Sequence, residues 1–292
     1  MPLAATMTGL IYKIIEANHT HVHMDLIVGL PYEDKDRFGM SFNDLFSLKP
    51  HALQLGFLKL LKGSGVRKMD QYQYVADPKA PYEVLSTHVL PYDHVRYLKH
   101  FEDVFERFYN SERFRTVFGY IADQLISQGE GGKTKTAFKY FTDMTDAWLA
   151  QGNHKRALKD IDQIEFLYKF FKDRRDSMAM ELLQYDTLVS YKGKVRDQAV
   201  GLPKQTKELL QAGEDFWRNE SLVQHYIPAF TFREWRKIRQ SYVEMPMSKE
   251  TAHYLHVRMD GQAPTMTEDG KYMVIMDVKK EIHPFVRPQV IA

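Results

Sequence analysis

The chain has 292 residues, enough for one large or two modest domains. Hydrophobic residues make up 44% and charged ones 27%, the mix of a soluble globular protein, and 40 basic against 38 acidic side chains leave a net charge of +2 that gives no general reason to expect nucleic acid or an anionic membrane as partner. With no cysteine, a disulfide, a thiolate–metal site and a cysteine nucleophile are all excluded.

In chain order, Leu10, Ile11, Ile14 and Ile15 recur at helical spacing within residues 6–18. Met1 to Leu10 has neither the basic start nor the long apolar core of a secretory signal. No apolar run approaches the roughly 18 residues of a membrane span, so a cytoplasmic location is expected. A strand over residues 21–28 follows, then the turn Gly29-Leu30-Pro31 and a helix over 36–48. Lys49-Pro50 ends that helix, because proline disfavours helix in the residue before it. A second strand over 52–58 is closed by Lys62-Gly63-Ser64-Gly65. Helix, strand, helix, strand is the rhythm of a parallel α/β sheet. Tyr72, Tyr74 and Val75, then Val84 and Leu85, suggest short strands around residues 77–81. Helices are expected near 92–109, 112–128, 134–150, 154–173, 175–191 and 204–217, the fourth carrying the amphipathic ridge Ile161, Ile164, Leu167, Tyr168 and Phe171. In the tail, residues 252–259 and 272–278 read as strands, with Asp260-Gly261 and Asp269-Gly270 between them. No internal repeat or low-complexity tract is present.

The first two strands alternate. Val22, Met24, Leu26 and Val28 face one way, and His21, His23, Asp25 and Ile27 the other. In the second, Leu53, Leu55 and Phe57 oppose Gln54, Gly56 and Leu58. The greasy faces suit packing under helices. The mixed faces suit a cleft or barrel interior that holds a polar ligand.

Three patterns invite chemistry. His21, His23 and Asp25 point the same way along a strand and are suitable zinc ligands, in a spacing similar to the His-x-His strand of amidohydrolases. Against that, the apolar run Leu26-Ile27-Val28 follows them, and later strand ligands are not evident. The alternative, polar residues lining a barrel or a strand start, is preferred. Residues 129–134 are superficially similar to a phosphate-binding loop, but Ser127 stands where its first glycine belongs, and the preceding residues 118–126 read as helix. Basic runs at 169–175, 192–196 and 233–239 are interrupted by aromatic or acidic residues and read as solvated helix faces.

Asp25-Leu26-Ile27-Val28-Gly29-Leu30-Pro31, with Glu33 beyond it, resembles the fifth-strand motif of radical S-adenosylmethionine (SAM) enzymes, Gly-x-Ile-x-Gly-x-x-x-Glu. Ile27, Gly29 and Glu33 occupy three of its positions, and Asp25 stands where the first glycine would be. Residues 53–64 resemble the sixth strand and closing loop of the coproporphyrinogen-dehydrogenase branch. The wider run 21–114, including Pro81-Tyr82-Glu83-Val84-Leu85 and Tyr109-Asn110-Ser111, resembles cobalamin-binding-type radical SAM proteins with an uncharacterised C-terminal domain. The resemblance implies a fold that is α/β and then mostly α. Residues 1–90 would hold the last two core strands of a partial (β/α) barrel. Residues 91–292 would be a family-specific region, helical to about 200 and then a small α+β tail. It also implies that Ile27 and the Gly29 turn line the adenine pocket of SAM, that Glu33 is the motif's final acid, and that Leu58 and Lys59 lie beside the same adenine.

The family's cofactors are SAM, an iron–sulfur cluster and cobalamin. The cluster sits on three cysteines, and this chain cannot hold it. The expectation is therefore a truncated radical SAM protein lacking the cluster- and cobalamin-binding parts and inactive alone: a gene remnant, an alternative start, or half of a split protein, which in the last case would have the missing N-terminal half as its partner, a separate chain. A stand-alone binding or scaffold module and a histidine–metal hydrolase are the alternatives.

Overall fold

In the computed structural model, residues 13–14, 20–129, 134–197, 206–231, 235–257, 259, 266–267 and 269–288 are described. They form two compact units, residues 1–157 and 158–292. About half of the chain is helical, its sheets are small, and no closed barrel occurs among the described residues.

The first unit opens with β1 (His23–Val28), α1 (Lys35–Phe46) and β2 (Ala52–Phe57). The strands pair in parallel, His23 opposite Ala52 through Val28 opposite Phe57. The expected alternation is present: Leu26, Val28, Leu53 and Leu55 are buried, while His23, Asp25, Gln54 and Gly56 are exposed. Asp34 caps α1 by accepting from the Arg37 N–H at 2.9 Å. Next come β3 (Val75–Ala76) and β4 (Val84–Ser86), an antiparallel pair where short strands were expected. Tyr72 instead ends a 3-10 turn.

Helices α2 (Tyr92–Phe105), α3 (Arg115–Ser127) and α4 (Ala137–Ala150) complete this unit. The single helix expected over 92–109 gives way after Phe105 to a π turn, Glu106–Asn110. The core is aromatic: Phe42 meets Phe46, Phe101, Phe105, Phe138 and Phe141 with ring centroids 5.2–6.1 Å apart. Gly39 permits this packing, since a Cβ there would lie 2.5 Å from the Phe138 ring.

The second unit holds α5 (Asp160–Asp173), α6 (Ser177–Ser190), α7 (Lys207–Arg218), α8 (Glu220–Tyr226), α9 (Trp235–Arg239), β5 (Tyr242–Met247), α10 (Lys249–Tyr254), β6 (Tyr272–Asp277) and β7 (Phe285–Val286). Its antiparallel sheet runs β5-β6-β7. The strand expected over 272–278 is the central one, buried along its whole length. Tyr272, Val274 and Met276 pack with Met245, Met247 and Leu188, while Ile275 packs with Phe216, Trp217 and Phe285. Burial on both faces explains the unbroken apolar run Tyr-Met-Val-Ile-Met.

The strand expected over 252–259 is corrected. Ser248 accepts from the Thr251 N–H at 3.2 Å and starts α10 over part of that range, so the partner of β6 is β5, one segment earlier. Pro246 argues against a strand, yet Val278 N donates to Ser241 O, so the odd residues of β5 bond inward and Pro246 faces the outer edge, where no N–H is needed. Most of the helix expected over 6–18, the residues 130–133 of the glycine-rich loop, the first residues of the 204–217 helix, Arg233 of the third basic run and Asp260-Gly261 lie outside the described residues. Among the described residues, no helix is long and apolar enough to cross a membrane.

Candidate functional site

The mixed face of the parallel pair opens into a cleft of about 600 Å³. Asp25 and Ile27 come from β1, Gln54 and Gly56 from β2, and Leu58 and Lys59 from the segment after it. Ile27 is 40% exposed, unusual for a strand isoleucine, and a Cβ on Gly56 would meet nothing within 4 Å. The floor is thus mixed, with Ile27 and the open Gly56 beside Asp25 and Gln54, and it lies toward the C-terminal ends of parallel strands, where α/β folds bind ligands.

The far wall comes from the helix end. Glu102 of α2 and Glu106 of the π turn line the cleft. Burial, then the charges of Asp103, Glu106 and Glu83, push the Glu102 carboxyl above its usual range. Asn110, closing the π turn, donates from Nδ2 to Glu106 Oε2 at 2.6 Å and to Leu53 O at 2.9 Å, and its Oδ1 accepts from Leu53 N at 3.3 Å. Ala52 N and Leu58 N both donate to β1, so the odd residues of β2 face its outer edge, and the Asn110 amide imitates one residue of a neighbouring strand there. Lys99 pairs with Glu83 and lies 5.2 Å from the Phe57 ring centre.

Of the five residues singled out in the sequence, the fold brings Ile27, Leu58 and Lys59 to this cleft and places two elsewhere. Gly29 is buried at φ +94°, and a Cβ there would lie 2.7 Å from Val84 Cγ1, so glycine is needed for the turn and for the close approach of β4. Its carbonyl accepts from the Tyr74 hydroxyl at 3.1 Å. Glu33 turns toward α1, where Oε1 accepts from Ser41 Oγ at 2.9 Å. Glu102 and Glu106 escaped sequence reasoning, and Asn110 entered it only as part of the Tyr109-Asn110-Ser111 resemblance, with no role. The four-residue spacing of the two glutamates and of Glu106 and Asn110 put them on one helical face, but nothing in the pattern aimed that face at a strand edge.

The histidines do not converge on a metal. His21 Nδ1 and His23 Nε2 share a hydrogen bond of 2.8 Å, the His21 ring lies 4.7 Å from that of His51, and His51 Nδ1 accepts from Val22 N at 3.0 Å. Asp25 lines the cleft instead. Among the described residues, no group of three or more histidine, cysteine, aspartate or glutamate side chains is placed to hold a metal ion.

The family described as "Protein of unknown function (DUF4080)" matches residues 70–260, well over half of the chain. The chain belongs to this family. No curated protein and no solved structure matches it. The DUF4080 region includes Glu102, Glu106 and Asn110 but not β1 or β2, so the cleft joins DUF4080 residues to strands that precede them.

Proposed function

We propose that this chain supplies the adenine-side wall of a SAM-binding barrel, joined to its DUF4080 region. The observation that carries the reading is the in-register parallel pair β1–β2 with its mixed face open at Gly56. Ile27 and Leu58 offer apolar contact, and glycine lets a planar ring approach the backbone. Asp25, Glu102 and Glu106 outnumber Lys59, which suits a ligand bearing positive charge, as SAM does on sulfur. The residues present do not fit an iron–sulfur cluster, for want of thiolates, and no radical step is derived for this chain alone. The partner this reading asks for is a chain that carries the cluster-binding cysteines and the remaining strands.

Titration of SAM and of adenosine into the purified chain, followed by methyl NMR of Ile27 and Leu58, is expected to give saturable shifts with both. Gly56→Leu fills open space and is expected to weaken them by roughly tenfold or more, the worth of one lost stacking face. Absence of saturable shifts with either ligand would sink the adenine assignment, and a stoichiometric cluster retained by this chain would sink the claim that it needs a partner.

A second reading, a stand-alone binding module, draws on the closed hydrophobic core within each unit. It is favoured if the chain alone melts cooperatively and binds neither SAM nor adenosine.

A further inference from the structure

A second cavity, of about 450 Å³, lies in the first unit between α2, the end of α4 and the 3-10 turn Asn153–Lys155. Arg96 and His100 reach it from α2, His154 and Lys155 from the turn, and Asp93 is its one carboxylate. The two imidazoles pack at 5.1 Å between ring centres. Nearby carboxylates already have partners: Asp103 holds Arg107 at 2.8 Å, Asp146 accepts from the Tyr97 hydroxyl at 2.8 Å, and Asp143 pairs with Lys139. Asp93 meets Arg96 at 3.4 Å, but both side chains are well over half exposed, and such a pair holds the guanidinium weakly. Leu149 and the Tyr97 ring form the remaining wall.

We propose that this cavity binds a compact phosphomonoester, its phosphate received by Lys155, Arg96 and the His100–His154 pair and its organic body laid on Leu149 and Tyr97. Arginine and lysine suit phosphate as fork and point charge, and imidazole donates from whichever nitrogen carries the proton. Burial, then the charges of His154 and Arg96, hold His100 below the usual histidine range, while Asp103 acts weakly the other way. A site whose cations repel a proton attracts an anion for the same reason, and a bound dianion reverses the shift.

The test is a pH titration of the His100 and His154 ring protons by NMR in chloride, inorganic phosphate and glycerol 1-phosphate at equal ionic strength. His100 is expected to titrate at higher pH with either phosphate than with chloride, saturably, and glycerol 1-phosphate is expected to bind several-fold more tightly than phosphate by its wall contacts. Lys155→Ala, at an exposed position, is expected to weaken both by about tenfold, the loss of one charge-assisted hydrogen bond. An identical His100 titration in all three salts, or unchanged affinity in Lys155→Ala, would overturn the site. Equal affinity for the two phosphates would overturn the assignment of the wall.

Discussion

Arg287 has no exposed surface, and its charge is met by Glu244, with Oε2 3.1 Å from Nη1. The same carboxylate accepts from Trp217 Nε1 at 2.8 Å, and Arg287 Nη2 donates to Leu209 O at 3.2 Å. Gly213 makes the arrangement possible, because a Cβ there would sit 2.6 Å from the guanidinium. Two buried ions gain little over apolar side chains, but one left alone is costly. Glu244→Ala is therefore expected to destabilise the second unit by about 3–5 kcal/mol, and the double variant Glu244→Leu, Arg287→Met to recover most of it, both read by urea melts. None of this was legible in the sequence. Arg287 and Glu244 are far apart in the chain, and each alone reads as a surface charge, whereas Ile27 and Gly29 declared themselves by standing together in a short apolar run.

At the scale of elements, legibility followed periodicity. The alternation of the first two strands predicts which side chains are buried, and the apolar spacing of residues 36–48 and 134–150 predicts helices close to α1 and α4. Reading failed where one polar side chain decides. Ser248 turns residues 249–254 into a helix, and Pro246 conceals a strand that tolerates it only as an edge. The same holds at Asn110, whose amide occupies the edge of β2. Asn110→Ala is expected to cost about 1–3 kcal/mol, the penalty of leaving backbone groups and a glutamate without a partner. It is also expected to speed hydrogen exchange at the Leu53 amide while exchange at Leu26 in β1 changes less. Unchanged exchange at Leu53 would show that the edge is held by something else.

At the scale of the whole molecule, each unit carries a group whose contribution is lost in its own acid range. In the first, His100 has a lowered folded pKa, so its neutral form is favoured on folding. That contribution is complete above the ordinary value near 6.5 and is lost as pH falls from there through the folded value. In the second, burial alone would raise Glu181, but hydrogen bonds from Lys271, Thr251 and Ser248 outweigh it and hold the carboxyl below its usual range. Its contribution is present above about pH 4.3 and is lost as pH falls through the folded value. Trp148 is buried in the first unit, and Trp217 in the second. Thermal melts followed by tryptophan fluorescence are expected to show His100→Gln losing less stability than the parent chain as pH falls from about 6.5, and Glu181→Gln losing less than the parent below about pH 4.3. A pH dependence unchanged in either variant would contradict that group's contribution. Sheet edges also decide which backbone donors are left over. On β5 the residue presented outward at position 246 has no amide hydrogen, so that edge carries a gap in its row of donors. Pro246 is itself buried, so its lack of an N–H spares that edge a buried donor, and its replacement by valine would place one there while also altering the packing around Met245 and Met247.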